Sequence, residues 1–68
     1  MEKQYFVYRG YRSNEPIAIY YNMDQVTALV HNTAAQENYG MYRSWTMDGV
    51  AFYDCGGTIY RVVKKVVQ

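Results

Sequence analysis

Two side chains with the intrinsic chemistry of a general base or a nucleophile, His31 and Cys55, each occur once in this sequence. A catalytic role for either needs partners at defined spacing, and the chain supplies none. His31 falls at the edge of the polar side of a helical segment, where it reads as a boundary residue. Cys55 sits between Asp54 and Gly56, and an adjacent carboxylate opposes the thiolate that a reactive cysteine requires. Asp54-Cys55-Gly56-Gly57 is too short for a phosphate-binding loop, lacks a following Lys-Ser/Thr pair and leads into a strand instead of a helix. The carboxylates Glu2, Glu15, Asp24, Glu37, Asp48 and Asp54 are spread over termini, loops and caps without forming a close pair. The expectation is a protein that is not an enzyme, with no cofactor and no Cys/His metal site.

The residue types that remain are tyrosine and arginine, interleaved at Tyr8-Arg9-Gly10-Tyr11-Arg12, Tyr42-Arg43 and Tyr60-Arg61. Nine of the 68 residues are tyrosine. Aromatic faces stack on bases and guanidinium groups hold phosphates, so a sheet displaying both can grip a nucleotide or a short oligonucleotide. The same two residues anchor protein interfaces. Tyrosine can also simply fill a thin sheet, with its ring buried and its hydroxyl wet. Seven basic and six acidic residues leave a formal charge of only +1, which ranks a protein partner ahead of nucleic acid. The candidate binding residues are Arg12, Tyr42, Tyr53, Arg61 and Tyr11.

A chain of this length makes one domain, near the lower limit for burying enough apolar surface to fold alone. With a single cysteine no intramolecular disulfide can help, so stability must come from packing, assisted by oligomerisation. No apolar run follows Met1-Glu2-Lys3-Gln4, and no stretch approaches the roughly twenty apolar residues of a membrane helix. A soluble, cytoplasmic protein with no membrane partner is expected.

The elements that must position these residues are organised around the stretch Asn22 to Gly40, a helix over about residues 22–39. Asn22 can cap it, Gln25 can return the bond, and Tyr21 and Val26 can staple its start. On a wheel of about 100° per residue, Met23, Val26, Leu29, Val30, Thr33 and Ala34 form one side. Asp24, Gln25, Ala28, Asn32, Ala35 and Gln36 form the other. Gly40 can take the left-handed conformation that ends a helix.

The remainder reads as strands. Gln4 to Tyr11 alternates, with neither face distinguished as the buried one, and Ile17 to Tyr21 would turn Ile17, Ile19 and Tyr21 to the core. Asp48-Gly49 marks a type I′ hairpin between Met41–Met47 and Val50–Asp54. Its register sets Met47 opposite Val50, Trp45 opposite Phe52 and Arg43 opposite Asp54 on the side taken as core, leaving Tyr42, Ser44, Thr46, Ala51 and Tyr53 outside. A three-residue turn, Cys55-Gly56-Gly57, would continue that apolar face with Tyr60 opposite Phe52 and Val62 opposite Val50. A two-residue turn, Gly56-Gly57, would bring Arg61 against Phe52, and is set aside because it would put a guanidinium in the core. The segment from Thr58 to about Val67 is expected as a strand from its β-branched run, although Ile59, Val62, Val63, Val66 and Val67 also fit a helical stripe.

The fold class is therefore α+β: a single small domain in the order β-β-α-β-β-β, with one helix packed on an antiparallel sheet. In its small size, its tyrosine content and its lack of a catalytic set, the chain resembles the broad type of accessory protein that phages and mobile elements use to block a host factor. The expected function is that of a non-catalytic inhibitor or adaptor acting stoichiometrically on a protein partner, as a homodimer joined through its apolar C-terminal strand. Nucleotide or oligonucleotide capture on the Tyr/Arg surface is the alternative.

Overall fold

The computed structural model describes residues 2–67. The elements are β1 (Glu2–Arg9), β2 (Ala18–Tyr20), α1 (Met23–Glu37), β3 (Arg43–Met47), β4 (Val50–Asp54) and β5 (Ile59–Val67). The five strands form one antiparallel sheet in the order β2-β1-β5-β4-β3, with α1 across one face. This is the expected α+β architecture in the expected order.

The helix begins at the expected cap, Asn22. Asn22 Oδ1 accepts from the Gln25 amide at 3.0 Å, satisfying one free helix-start donor, while Gln25 Oε1 accepts from the Tyr21 amide at 3.1 Å, one residue before the cap whose own amide a reciprocal capping box would bond. Val26, Val30 and Ala34 are buried, Leu29 packs beside them, and Thr33 Oγ1 lies 2.7 Å from the Tyr60 hydroxyl. The helix stops at Glu37, two residues short of the expected end. Asn38 caps it through its amide to the Ala34 carbonyl, and the chain turns left-handed already at Tyr39 (φ 55°) before Gly40.

The Asp48-Gly49 turn has positive φ at both residues, and Arg43–Asp54, Trp45–Phe52 and Met47–Val50 face one another as expected. The next turn overturns the expectation. The Cys55 amide donates to the Thr58 carbonyl at 2.9 Å, so Gly56-Gly57 alone make the bend and Phe52 stands opposite Arg61. Arg61 is nevertheless outside the main core, because the helix covers the other face. The core comprises Tyr5 and Val7 of β1, Tyr60 and Val62 of β5, Cys55 and the apolar side of α1, with Ala51, Tyr53, Ala18 and Tyr20 packed against it.

Three further corrections follow from that choice of face. Ala51 and Tyr53, expected outside, lie under the helix, whereas Trp45, Phe52, Met47 and Val50 occupy the helix-free face. In β2 it is Ala18 and Tyr20 that pack inward; Ile17, Ile19 and Tyr21 are exposed. The C-terminal segment is a strand, but an internal one, paired along its length with β1 and near its start with β4. Beyond Val62 it has no partner on the β4 side, so only its last residues offer the edge on which the expected dimer rested.

Candidate binding face

In-register pairing aligns one residue from each of four strands on the helix-free face: Tyr8 of β1, Arg61 of β5, Phe52 of β4 and Trp45 of β3. Alternation along each strand puts all four on the same side, since their immediate neighbours Val7, Val62 and Ala51 pack toward the helix. Trp45 lies nearly parallel to Phe52, with ring centroids 5.6 Å apart and planes inclined by 11°. The Arg61 guanidinium carbon sits 4.4 Å from the centre of the Tyr8 ring, and one step along the strands Lys65 Nζ sits 4.4 Å from that of Phe6.

The loop between β1 and β2 folds onto this row. Arg61 donates from Nη1 to the Tyr11 carbonyl and from Nη2 to the Ser13 carbonyl at 2.6 Å. That anchorage sets the Tyr11 ring against Phe52, centroids 5.7 Å apart. Phe52 is consequently only 6% exposed although no helix covers it. Tyr11 and Met47 stay more than half exposed, and Trp45 more than a third, so the row ends in accessible aromatic and thioether surface.

The five residues singled out from the sequence separate onto opposite faces. Tyr11 and Arg61 meet in the helix-free row, and Arg12 lies exposed in the loop beside Tyr11. Tyr42 and Tyr53 stand together on the helix side, ring centroids 6.3 Å apart, with His31 Nε2 at 3.3 Å from the Tyr42 hydroxyl. Burial first, and Tyr42 second, raise the Tyr53 pKa above its ordinary value. Trp45, Phe52 and Met47 are not among the sequence candidates because the apolar side of the hairpin reads as core, and Tyr8 is not because its strand alternates without marking a buried face. The signal available was Arg61 itself: once Gly56-Gly57 forms the turn, a cation must lie on the Phe52 face, which marks that face as uncovered.

Cys55 and Asp54 are both engaged within the fold. Cys55 is fully buried with its thiol 3.7 Å from the Val30 carbonyl, and burial, then Glu37 and Asp54, push its pKa up, away from a reactive thiolate. Asp54 accepts from the Gly56 amide at 3.0 Å and from Arg43 Nη2 at 3.2 Å, which together hold its carboxyl below the usual range. A shallow pocket of about 440 Å³ beside it is lined by Asn38, Met41, Tyr42, Arg43, Asp54 and Gly56, with Asp54 already committed to those two donors. Among the described residues no three His, Cys, Asp or Glu side chains cluster as metal ligands would, and no helix is long and apolar enough to cross a membrane.

Comparison with protein-family models, curated proteins and solved structures finds no match to this chain.

Proposed function

We propose that this chain is a non-catalytic binding protein of the inhibitor or adaptor kind, and that it docks a protein partner on the helix-free face of its sheet. The observation that carries this reading is the row Tyr11–Phe52–Trp45, extended by Met47, on a face that the helix leaves open and the β1–β2 loop covers only in part. Aromatic side chains prepositioned on a sheet lose little rotamer freedom on binding, and Tyr, Trp and Met are the types enriched at interface centres. The partner surface that fits is apolar, with acidic or carbonyl groups at its rim to meet Lys65 and Arg12.

Nucleotide capture receives less support from the same geometry. The arginine nearest the aromatic row spends donors on two main-chain carbonyls and stacks its guanidinium on Tyr8, leaving phosphate to more distant cations.

Affinity capture from host extract tests the reading. The native chain should retain a protein that the folded double variant Tyr11→Ala/Trp45→Ala does not. Retention of the same protein by that variant would remove the face from consideration. Binding that depends on an extractable nucleotide and weakens steeply with salt would favour the second reading.

A further inference from the structure

The sheet has one long edge that nothing in the fold protects. β3 pairs only with β4, and all five of its residues are exposed. Natural edges are blunted by lysine, proline, bulges or shortness. The opposite edge, β2, has three residues; the part of β5 that runs past β4 carries Lys64 and Lys65. β3 has no proline, lysine or bulge, and its single charge, Arg43, is tied to Asp54 of the same chain.

The outward backbone groups of β3 follow from its turn. In a two-residue hairpin the closing pair, Met47–Val50, exchanges both backbone hydrogen bonds, and paired residues then alternate between bonded and non-bonded. Trp45 and Arg43 therefore bond inward to β4, whereas Ser44 and Thr46 turn their N–H and C=O groups away from the molecule.

The sequence Arg43-Ser44-Trp45-Thr46-Met47 is close to palindromic in chemistry about Trp45. An antiparallel copy centred on that residue pairs Ser44 with Thr46 of the second copy, and Thr46 with its Ser44, so the outward-pointing residues become the hydrogen-bonded pairs. Hydroxyl then meets hydroxyl on one face, Trp45 meets its equivalent on the other, and Arg43 faces a methionine instead of another arginine. The monomer also has reason to associate: its largest fully buried side chains are Val7, Val26, Val30 and Cys55, a thin core for this length.

We propose that two copies of the chain join through β3, antiparallel about a two-fold axis at Trp45, turning two five-stranded sheets into one continuous sheet. The Tyr11–Phe52–Trp45 row then runs unbroken across the axis into its equivalent. An interface of two five-residue strands lies at the small end of specific contacts, so the dimer forms reversibly and with concentration. The inference concerns the edge of the sheet and does not rest on the partner reading, which concerns its face, although Trp45 takes part in both.

Sedimentation of the full chain across a concentration series, with circular dichroism on the same samples, is the test. Trp45 is the sole tryptophan, so an exciton couplet from paired indoles should grow with the dimer fraction. Thr46→Pro removes the outward donor without touching a bond to β4 and should weaken the dimer by more than about tenfold while the fold persists. Trp45→Lys, which sets like charges opposite each other and leaves every backbone bond in place, should likewise abolish it and carries the test if the proline variant does not fold. A native chain that is monomeric throughout, or a folded variant of either kind that dimerises as the native chain does, overturns the proposal.

Discussion

Arg61 stands directly opposite Phe52 across β5 and β4, and its guanidinium closes on the main chain of the β1–β2 loop instead of reaching into solvent. This contact turns an exposed sheet face into a small second packing layer of Tyr8, Tyr11, Phe52 and Trp45. Arg61→Met keeps the apolar stem and removes the charged bonds and the cation on Tyr8. The expected cost is about 2 kcal/mol in urea unfolding, with faster amide exchange confined to Tyr11–Ser13 and Ile17. An unchanged denaturation midpoint would mean that the loop is held by something else.

The turn that sets this register depends on its glycines unequally. Gly56 has φ +111°, and a Cβ there would stand 2.7 Å from the Asn38 Cβ; a Cβ on Gly57 would meet only the end of the Glu37 side chain. Gly56→Ala should therefore destabilise by about 2 kcal/mol or more, through both strain and collision, and Gly57→Ala by less than about 1 kcal/mol. Thermal unfolding of the pair checks the order, and equal losses would contradict it.

Much of the fold was legible because local chemistry decides it. Asn22 with Gln25 sets the helix start, and Asp48-Gly49 sets one hairpin register whatever the rest of the chain does. The face covered by the helix was not legible, because it depends on a single residue of turn length. The objection to burying Arg61 beside Phe52 was physically sound. It was satisfied by the Phe52 face lying away from the helix, where the large apolar side chains of Trp45 and Met47 had made that face look like core. Side-chain size does not mark the helix side either, because it mixes Ala18 and Ala51 with Tyr5, Tyr20, Tyr53 and Tyr60. The same inversion divided the candidate residues, sending Tyr42 and Tyr53 to the helix side while Tyr11 and Arg61 converged on the other.

Tyr39 occupies left-handed backbone with its side chain 95% exposed. Nothing packed against the ring compensates the conformation, which glycine adopts without a Cβ penalty. Tyr39→Gly should leave the fold unchanged and raise stability by about 0.5–1 kcal/mol, read as a higher midpoint in thermal unfolding. A lower midpoint would show that the ring contributes to the folded chain.

Acid should loosen the β4–β5 turn through Asp54. The Gly56 amide first, and Arg43 second, hold its pKa below the ordinary value of 3.8. A carboxylate whose pKa falls on folding stabilises above its unfolded value, and that stabilisation is lost as pH drops through the folded value. Across a series of acidic buffers the unfolding temperature of the native chain should fall more steeply than that of Asp54→Asn. Parallel curves would mean that Asp54 is not linked to folding.

The central claim is that binding belongs to the face Arg61 and Phe52 share and not to the helix. Amide chemical-shift mapping of the isotope-labelled chain against its captured protein partner tests this most directly. The account predicts shifts concentrated on β3, β4 and Tyr11–Ser13, with the Trp45 indole N–H among the largest. Shifts concentrated on Asp24–Gln36 and Tyr42, with Trp45 unmoved, would contradict it.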